Sequence, residues 1–317
     1  MELLTVSGIS IEGQGQPILK DISFNQRKRQ KIAIAGETGS GKSSLLKVIA
    51  GLMVPDNGEV SFEGEHVRYD RLVPGHPGIA YLSQHFELPK SLRVEQVLSY
   101  SNTFSDSTAT TLYEVCQIDH LMTRRTDQLS GGERQRIAMA RLLISSPRLL
   151  LLDEPFSHLD IPHKNTLKTV IHDLSRKLKI ACMLVSHDPA DTLSWADKIL
   201  VMKEGQLIQQ GSPERIYNHP VNEYTASLFG RYTKMTPELL KVFEKQLRHT
   251  SFGDGLFLRP EHFRLVKKAS GAVKGVLKEL RFFGSHYEAT VYIGTNALIV
   301  HTDNPDIKKG GTVYVTL

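Results

Sequence analysis

The segment Gly36–Ser43, GETGSGKS, limits what this chain can fold into more than any other stretch. It follows the apolar run KIAIA and leads into SSLLKVIAGL. The order reads as buried strand, glycine-rich turn and helix. A G-x-x-x-x-G-K-[ST] pattern in that context curls backbone N–H groups around phosphate oxygens, and the helix N-terminus adds partial positive charge. Lys42 is placed to reach the β- and γ-phosphates of a nucleotide, and the Ser43 hydroxyl suits Mg²⁺. Gly36, Glu37, Thr38, Gly39, Ser40, Gly41, Lys42, Ser43 and Ser44 are therefore the candidate nucleotide-binding residues.

The flanking sequence continues in the same style. ISIEG and ILKDISF read as short strands split by GQGQP, and EVSFEGEHV and GIAYLSQ read as further strands. ERQRIAMARLLIS carries apolar residues at helical spacing. RLLLLDEP is continuously apolar, as a strand is when both faces of its sheet are covered. HKNTLKTVIHDLSRKL reads as a helix, IACMLVSHD as a strand, PADTLSWA as a helix, and KILVMKEGQLIQQG as a hairpin around Glu204–Gly205. Strands alternating with helices predict a parallel α/β core. After Gly230 the character changes. Thr236 caps a helix with Pro237 at its first position, and GLFLRP, HFRLV, VKGVLKELRFFG, HYEATVYIG, ALIVHT and TVYVTL follow as strands separated by turns. The expected division is 1–230 and 231–317, the second part a small all-β domain on a linker helix.

Composition excludes several classes. The chain has 317 residues with 40% hydrophobic and 23% charged, which suits about two globular domains and not disorder or a coiled coil. Two cysteines cannot form a disulfide framework, so a reducing compartment is expected. No apolar run reaches the ~18 residues of a membrane span, and the N-terminus MELLTVSGISIEG does not have the pattern of a signal peptide. Net charge is +5, and from Met235 onward 12 Lys+Arg against 8 Asp+Glu place +4 in the last quarter. That balance permits contact with nucleic acid or a membrane surface without demanding it.

Two further segments carry chemistry. LLLLDEP ends in Asp153 and Glu154, and a carboxylate at the C-terminal edge of a parallel strand faces the ligand crevice. Asp153 is the candidate Mg²⁺ holder, partly through water. Glu154 is the candidate to orient or deprotonate an attacking water. LSGGERQRIAMAR, Leu129 to Arg141, places Ser130, Gly131 and Gly132 at a helix start, a second anion site that cannot serve the chain's own P-loop phosphate.

With these residues in hand, the chain resembles the ATP-binding cassette (ABC) ATPase family. LSGGE matches that family's signature sequence, with Glu133 where Gln is commonest. The resemblance implies a P-loop NTPase core with a helical subdomain at about 85–145, ATP and Mg²⁺ as ligands, and a site completed by the signature of a second copy. Other positions follow in order: Gln84 in YLSQ resembles the glutamine that touches Mg²⁺ or water, Asp160 ends the SHLD that sits where the dimer-communicating loop sits, and His187 in LVSHD resembles the histidine that contacts the γ-phosphate. The resemblance thus implies Glu154, His187 and Gln84 as catalytic, and Ser43, Gln84 and Asp153 as metal-holding.

It extends past the core. GSPERIYNHPVNEYTASLFG resembles the linker of importer ATPases. LRPEHFRLV with FFGSHYEATVYIG is similar to the OB-like accessory domain of importers for ferric iron, polyamines, sulfate and sugars. This implies a peripheral subunit on the cytoplasmic face of the membrane, partnered by transmembrane permease subunits and indirectly by a solute-binding protein. Ferric iron or a polyamine is the cargo suggested by the single short β domain. One departure stands out: the family stacks adenine on an aromatic about 20 residues before the P-loop, and there is no Phe, Tyr or Trp from Met1 through Ser23. Gly13 lies at that position, with Ile11 the nearest apolar side chain. A second reading is a soluble ABC protein acting on ribosomes or nucleic acid through the basic β domain. The single P-loop and the lack of an aromatic stacking stripe argue against it, and no nucleic acid is expected as a partner. An exporter half is disfavoured by the importer-like tail.

Overall fold

The computed structural model describes residues 2–70, 72–83, 88–100, 102–157, 161–247 and 257–317. They form two compact units, one up to Ser212 and one from Pro213 to Leu317. The first contains, in order, β1 (Glu2–Gly13), β2 (Gln16–Arg27), β3 (Lys31–Ala35), α1 (Lys42–Ile49), β4 (Asn57–Phe62), β5 (Glu65–His66), β6 (Ile79–Leu82), α2 (Val94–Ser99), α3 (Asp106–Val115), α4 (Gly131–Leu143), β7 (Leu149–Asp153), α5 (Ile161–Lys177), β8 (Ala181–Val185), α6 (Pro189–Leu193), β9 (Lys198–Lys203) and β10 (Gln206–Gly211).

Its central sheet runs β10-β9-β3-β8-β7-β6. The neighbours from β9 to β6 are parallel, and β10 returns antiparallel at the edge. The continuous apolar strands divide their side chains between two cores. Leu149 and Leu151 of β7, with Ala181, Met183 and Val185 of β8, face the core shared with α1 and the antiparallel sheet β2-β1-β4-β5. Leu150 and Leu152, with Cys182 and Leu184, face a second core built with α2, α3, α4 and α5. Strict alternation of side chains along a strand makes an all-leucine run necessary here, because both faces are covered. Between Val94 and Leu143 the elements among the described residues are helices joined by turns, and Arg125 makes an isolated bridge to Arg93. Cys116 and Cys182 are free thiols buried in that second core, and burial pushes both up to about 12.

The second unit contains α7 (Pro213–Asn218), α8 (Glu223–Leu228), β11 (Thr233–Lys234), α9 (Pro237–Leu247), β12 (Phe257–Leu258), β13 (Arg264–Val266), β14 (Val273–Phe282), β15 (Tyr287–Ile293), β16 (Asn296–Thr302) and β17 (Thr312–Thr316). The sheet β13-β17-β14-β15-β16 is antiparallel throughout and packs its apolar face on α9 through Leu239 and Phe243. The structure divides the chain after Ser212, earlier than the change of character at Gly230. The physical reason is Arg259. Its side chain is fully buried, its Nη1 donates to the carbonyls of Ala226 (2.9 Å), Gly230 (3.2 Å) and Arg231 (3.1 Å), and its Nε donates to Tyr217 O (3.0 Å). A buried guanidinium is stabilised by acceptors for its donors, and here the segment that reads as a linker supplies those of Nε and Nη1. α7 and α8 therefore belong to the β unit.

Candidate active site

The P-loop joins β3 to α1 as the sequence predicts. Two of its glycines are required by close approach. Gly41 caps α1 at φ 94°, and a Cβ there would lie 2.7 Å from Leu19 Cδ2 and 2.8 Å from Ile18 O. A Cβ on Gly36 would lie 2.3 Å from Met202 O. The loop is thus pressed between β2 and β9. Inside it the Lys42 ammonium donates to Gly36 O (2.8 Å), Glu37 O (2.6 Å) and Ser40 Oγ (3.3 Å). Burial lowers the pKa of Lys42, and the nearby carboxylates of Glu154, Asp153 and Glu37 oppose that shift. A cation held in a glycine-walled loop, at the cost of desolvation, fits a polyanionic ligand.

The acidic side of the site comes from β7. Asp153 is buried and accepts two hydrogen bonds, from Ser43 Oγ (2.9 Å) and from Tyr81 OH (2.8 Å). Ser43 and Asp153, far apart in sequence, meet because β3 and β7 flank β8 and end at the same edge of the sheet. Their oxygens are the hard donors that Mg²⁺ prefers. Tyr81 is a residue that sequence reasoning missed. Burial and the Asp153 charge hold its phenol well above the usual tyrosine range, so it stays a donor. The available signal was a single hydroxyl-bearing residue in the apolar strand beside the strand that ends in Asp153.

Glu154 follows in a left-handed turn at φ 48°, with its N–H on Val185 O (3.1 Å) and its carbonyl accepting from Ser157 Oγ (2.7 Å). His187, which follows β8, brings Nδ1 to 3.7 Å from Glu154 Oε2. The imidazole is exposed, whereas the loop beneath it is fastened. Ser186 Oγ donates to Asp191 (3.0 Å), Asp188 caps α6 through Ala190 N (2.9 Å), and Lys164 of α5 pairs with Asp191 (3.0 Å) and Asp188. The structure therefore brings Lys42, Ser43, Asp153, Glu154 and His187 to one edge. Gln84 and Asp160 lie outside the described residues.

The signature helix is built differently. Ser130 caps α4, accepting from Glu133 N (3.3 Å), while Glu133 accepts from Ser130 N (2.8 Å). This reciprocal capping box explains Glu133 locally. The Ser130 hydrogen bond, aided by Arg124 and Arg136, holds the Glu133 carboxyl below the usual range. Ser130 and Gly131 are exposed, and a Cβ on Gly131 would meet nothing within 4 Å. A Cβ on Gly132 would meet His163 Cδ2 at 3.0 Å. Gln135, one turn on, is buried and donates to the carbonyl of Pro155, which fastens α4 to the turn after Glu154. At the position of the expected adenine aromatic, Ile11 is buried in the core, and the neighbour of Gly13 is instead Ile18, whose Cδ1 would lie 2.6 Å from a Cβ there.

Comparison with known proteins identifies the family and the fold. The ABC transporter family matches residues 19–157, and the TOBE domain family matches residues 256–317. The sulfate/thiosulfate import ATP-binding protein CysA of Gloeobacter violaceus is 32% identical over 311 residues, covering 93% of this chain and 88% of that protein. The spermidine/putrescine import ATP-binding protein PotA of Clostridium novyi is 29% identical over 318 residues, covering 95% and 91%. The solved structure of cbiO1 from Clostridium perfringens, part of an ABC transporter complex, is 27% identical with a TM-score of 0.60, covering 68% of this chain and 90% of that one. The ATP-binding cassette MJ1267 shares the fold, with a TM-score of 0.61 over 72% of this chain and 98% of that one. On its P-loop, its carboxylate strand and these relatives, the chain belongs to the ABC transporter family, as an importer-type ATPase subunit with a C-terminal TOBE domain.

Proposed function

We propose that two copies of this chain drive solute uptake by closing on ATP, each ATP held between one copy's Gly36–Ser43 and the other's Ser130–Gly132. The observation that carries this is the contrast in completeness. The P-loop side has its cation, its metal-type oxygens and its carboxylate in place within one chain, through Lys42, Ser43, Asp153 and Glu154. The signature side offers an exposed helix start whose described hydrogen bonds return to its own first turn.

In this reading Ser43 and Asp153, with Gln84, hold Mg²⁺, which when bound neutralises charge on the triphosphate. Tyr81 fixes Asp153 for that task. Glu154 would orient or take a proton from water, and His187, 3.7 Å from Glu154, would contact the γ-phosphate. Asp160 lies at the seam between copies. No described helix is long and apolar enough to cross a membrane; in this reading the chain sits on the cytoplasmic face, and its permease partners span the membrane. Relatives of similar identity are named for spermidine/putrescine import and for sulfate/thiosulfate import, solutes of opposite charge. Cargo choice is accordingly assigned to the permease and solute-binding chains, with a polyamine one of the two cargoes suggested by the β domain.

The test is a mixing experiment. A Lys42→Ala chain and a Ser130→Arg chain each spoil both composite sites of their own dimer. A mixed dimer keeps one site with both wild-type halves. Partial recovery of ATP-dependent dimer closure in the mixture is expected. Failure of the mixture to recover, once mixed dimers are demonstrated, refutes the shared site.

A further inference from the structure

We propose that His286, Glu288 and His301 form a binding site for a divalent transition metal of the zinc class, in the β unit and separate from the nucleotide site. The placement follows from strand geometry. His286 and Glu288 are two apart at the entry to β15, so they share a face, and Glu288 pairs across the ladder with His301, the penultimate residue of β16. Their neighbours Ala289, Val291, Leu298 and Val300 point into the core, which leaves the three polar side chains together on the other face. Their ligand atoms all lie within 4.8 Å of one another.

The contacts within the cluster are not those of a satisfied hydrogen-bond network. Glu288 is buried, with Oε1 3.8 Å from His301 Nε2, too far for a hydrogen bond. The two imidazole rings lie with centroids 4.1 Å apart. His286 Nε2 is buried and has no hydrogen-bond partner among the described residues. An orphaned ring nitrogen, a second imidazole nitrogen and a carboxylate oxygen converge on one point. Ligands of a tetrahedral ion at ~2.0–2.2 Å sit about 3.4 Å apart, so side-chain rotation at a turn and a strand end closes the remaining gap.

The groups outside the cluster are arranged to support such an ion. His286 Nδ1 is 3.0 Å from Ser285 Oγ, and Phe283 lies parallel to its ring with planes 10° apart, which leaves Nε2 as the buried nitrogen on the side of the cluster. His301 Nδ1 faces Glu261 Oε2 at 4.0 Å, and the other Glu261 oxygen accepts from Tyr217 OH at 2.7 Å. A carboxylate behind a histidine is the usual outer support of a metal-ligating imidazole. Glu288 Oε2 is taken by Arg231 Nε at 3.1 Å, which leaves Oε1 for the ion. Two imidazoles and one carboxylate suit Zn²⁺, Co²⁺ or Ni²⁺ and not Mg²⁺. Three protein ligands leave a fourth position for water or an incoming group. Arg231 lies in the segment held by Arg259, so the ion would act on the same junction that joins α8 to the sheet.

The test uses the full chain stripped of metal with a chelator, without nucleotide or Mg²⁺. Zn²⁺ is titrated in competition with a chromophoric chelator, and Co²⁺ is followed by its visible absorption. One equivalent of Zn²⁺ per chain and an intense tetrahedral Co²⁺ band are expected. His286→Ala and His301→Ala should each abolish the band with the far-ultraviolet circular dichroism unchanged, and Glu261→Gln should weaken binding about tenfold. Ser43→Ala should leave binding intact, which places the ion away from the nucleotide. No equivalent taken up by the wild type, or an unaltered Co²⁺ band in both histidine variants, overturns the proposal. The wild-type titration is decisive even if a variant fails to fold.

Discussion

Two helix starts in this chain begin with glycine and serine, face nucleotide chemistry in the proposed function, and are stabilised in opposite ways. The start of α1 is governed by groups distant in sequence. Gly36 and Gly41 are pressed on by Met202, Ile18 and Leu19, and Ser43 is bonded to Asp153. The start of α4 is governed by itself, through the reciprocal Ser130–Glu133 box and an open approach over Gly131. A site enclosed by its own fold is ready for a ligand from one side. A site that satisfies only its own helix end is stable alone and free to meet a second surface. The difference teaches that the second half-site costs this chain almost nothing to leave exposed, because a helix N-terminus can be capped locally.

The largest effect should come from the enclosed side. Glu154→Gln keeps the shape of the turn after β7 and removes the proposed base, so turnover should fall by at least about a hundredfold while ATP binding persists. Phosphate release and nucleotide binding, measured on the same preparation, check this. Turnover within a few-fold of wild type would mean that Glu154 only shapes the turn.

A smaller effect is expected one contact further out. Tyr81→Phe removes one of the two hydrogen bonds on Asp153 and leaves its buried oxygen unpaired. The Mg²⁺ concentration for half-maximal ATPase activity should rise about tenfold, the size typical of lost support behind a metal ligand. Because the phenol is held well above its usual range, it stays protonated and this contact should not weaken between neutral pH and pH ~9. An unchanged Mg²⁺ requirement would remove Tyr81 from the site.

The smallest effect belongs to the exposed helix start. Glu133→Gln preserves the capping geometry and removes only charge, so stability at neutral pH should drop by about 0.5–1 kcal/mol. The sign with pH follows from the lowered carboxyl. A depressed folded pKa contributes stability above the ordinary glutamate value and loses it as pH falls through the folded value. The wild-type advantage over Glu133→Gln, followed by thermal unfolding, should therefore shrink and vanish in acid. A pH-independent difference would show that shape and not charge holds the cap.

Much of the fold was legible because its signals are local. The P-loop needs its residues contiguous, and RLLLLDEP announced a strand covered on both faces, with alternate leucines now found in two cores. The hairpin around Glu204–Gly205 and the cap of α9 at Thr236 were local as well. The junction between the units was not legible. Sequence character changes at Gly230, yet the buried Arg259 draws Tyr217, Ala226, Gly230 and Arg231 into the β unit through hydrogen bonds that span long stretches of chain. In the site, Lys42, Ser43, Asp153, Glu154 and His187 were each readable from motifs. Tyr81 was not, since a lone hydroxyl in an apolar strand marks a polar contact without naming its partner, and the aspartate lies on a strand distant in sequence.

By itself the sequence determined the identity of the phosphate-binding loop, the carboxylates at the end of a buried strand, and the capped signature helix, because turn chemistry, strand alternation and capping act over a few residues. Only the tertiary structure decided which of these meet. Parallel pairing brings the ends of β3, β7 and β8 to one edge and so joins Ser43 to Asp153 and Glu154 to His187. The β15–β16 register likewise sets Glu288 against His301, with His286 beside them. Strand register is a property of pairing between distant segments, and a one-residue slip of its strand would turn Asp153, Glu288 or His301 to the opposite face.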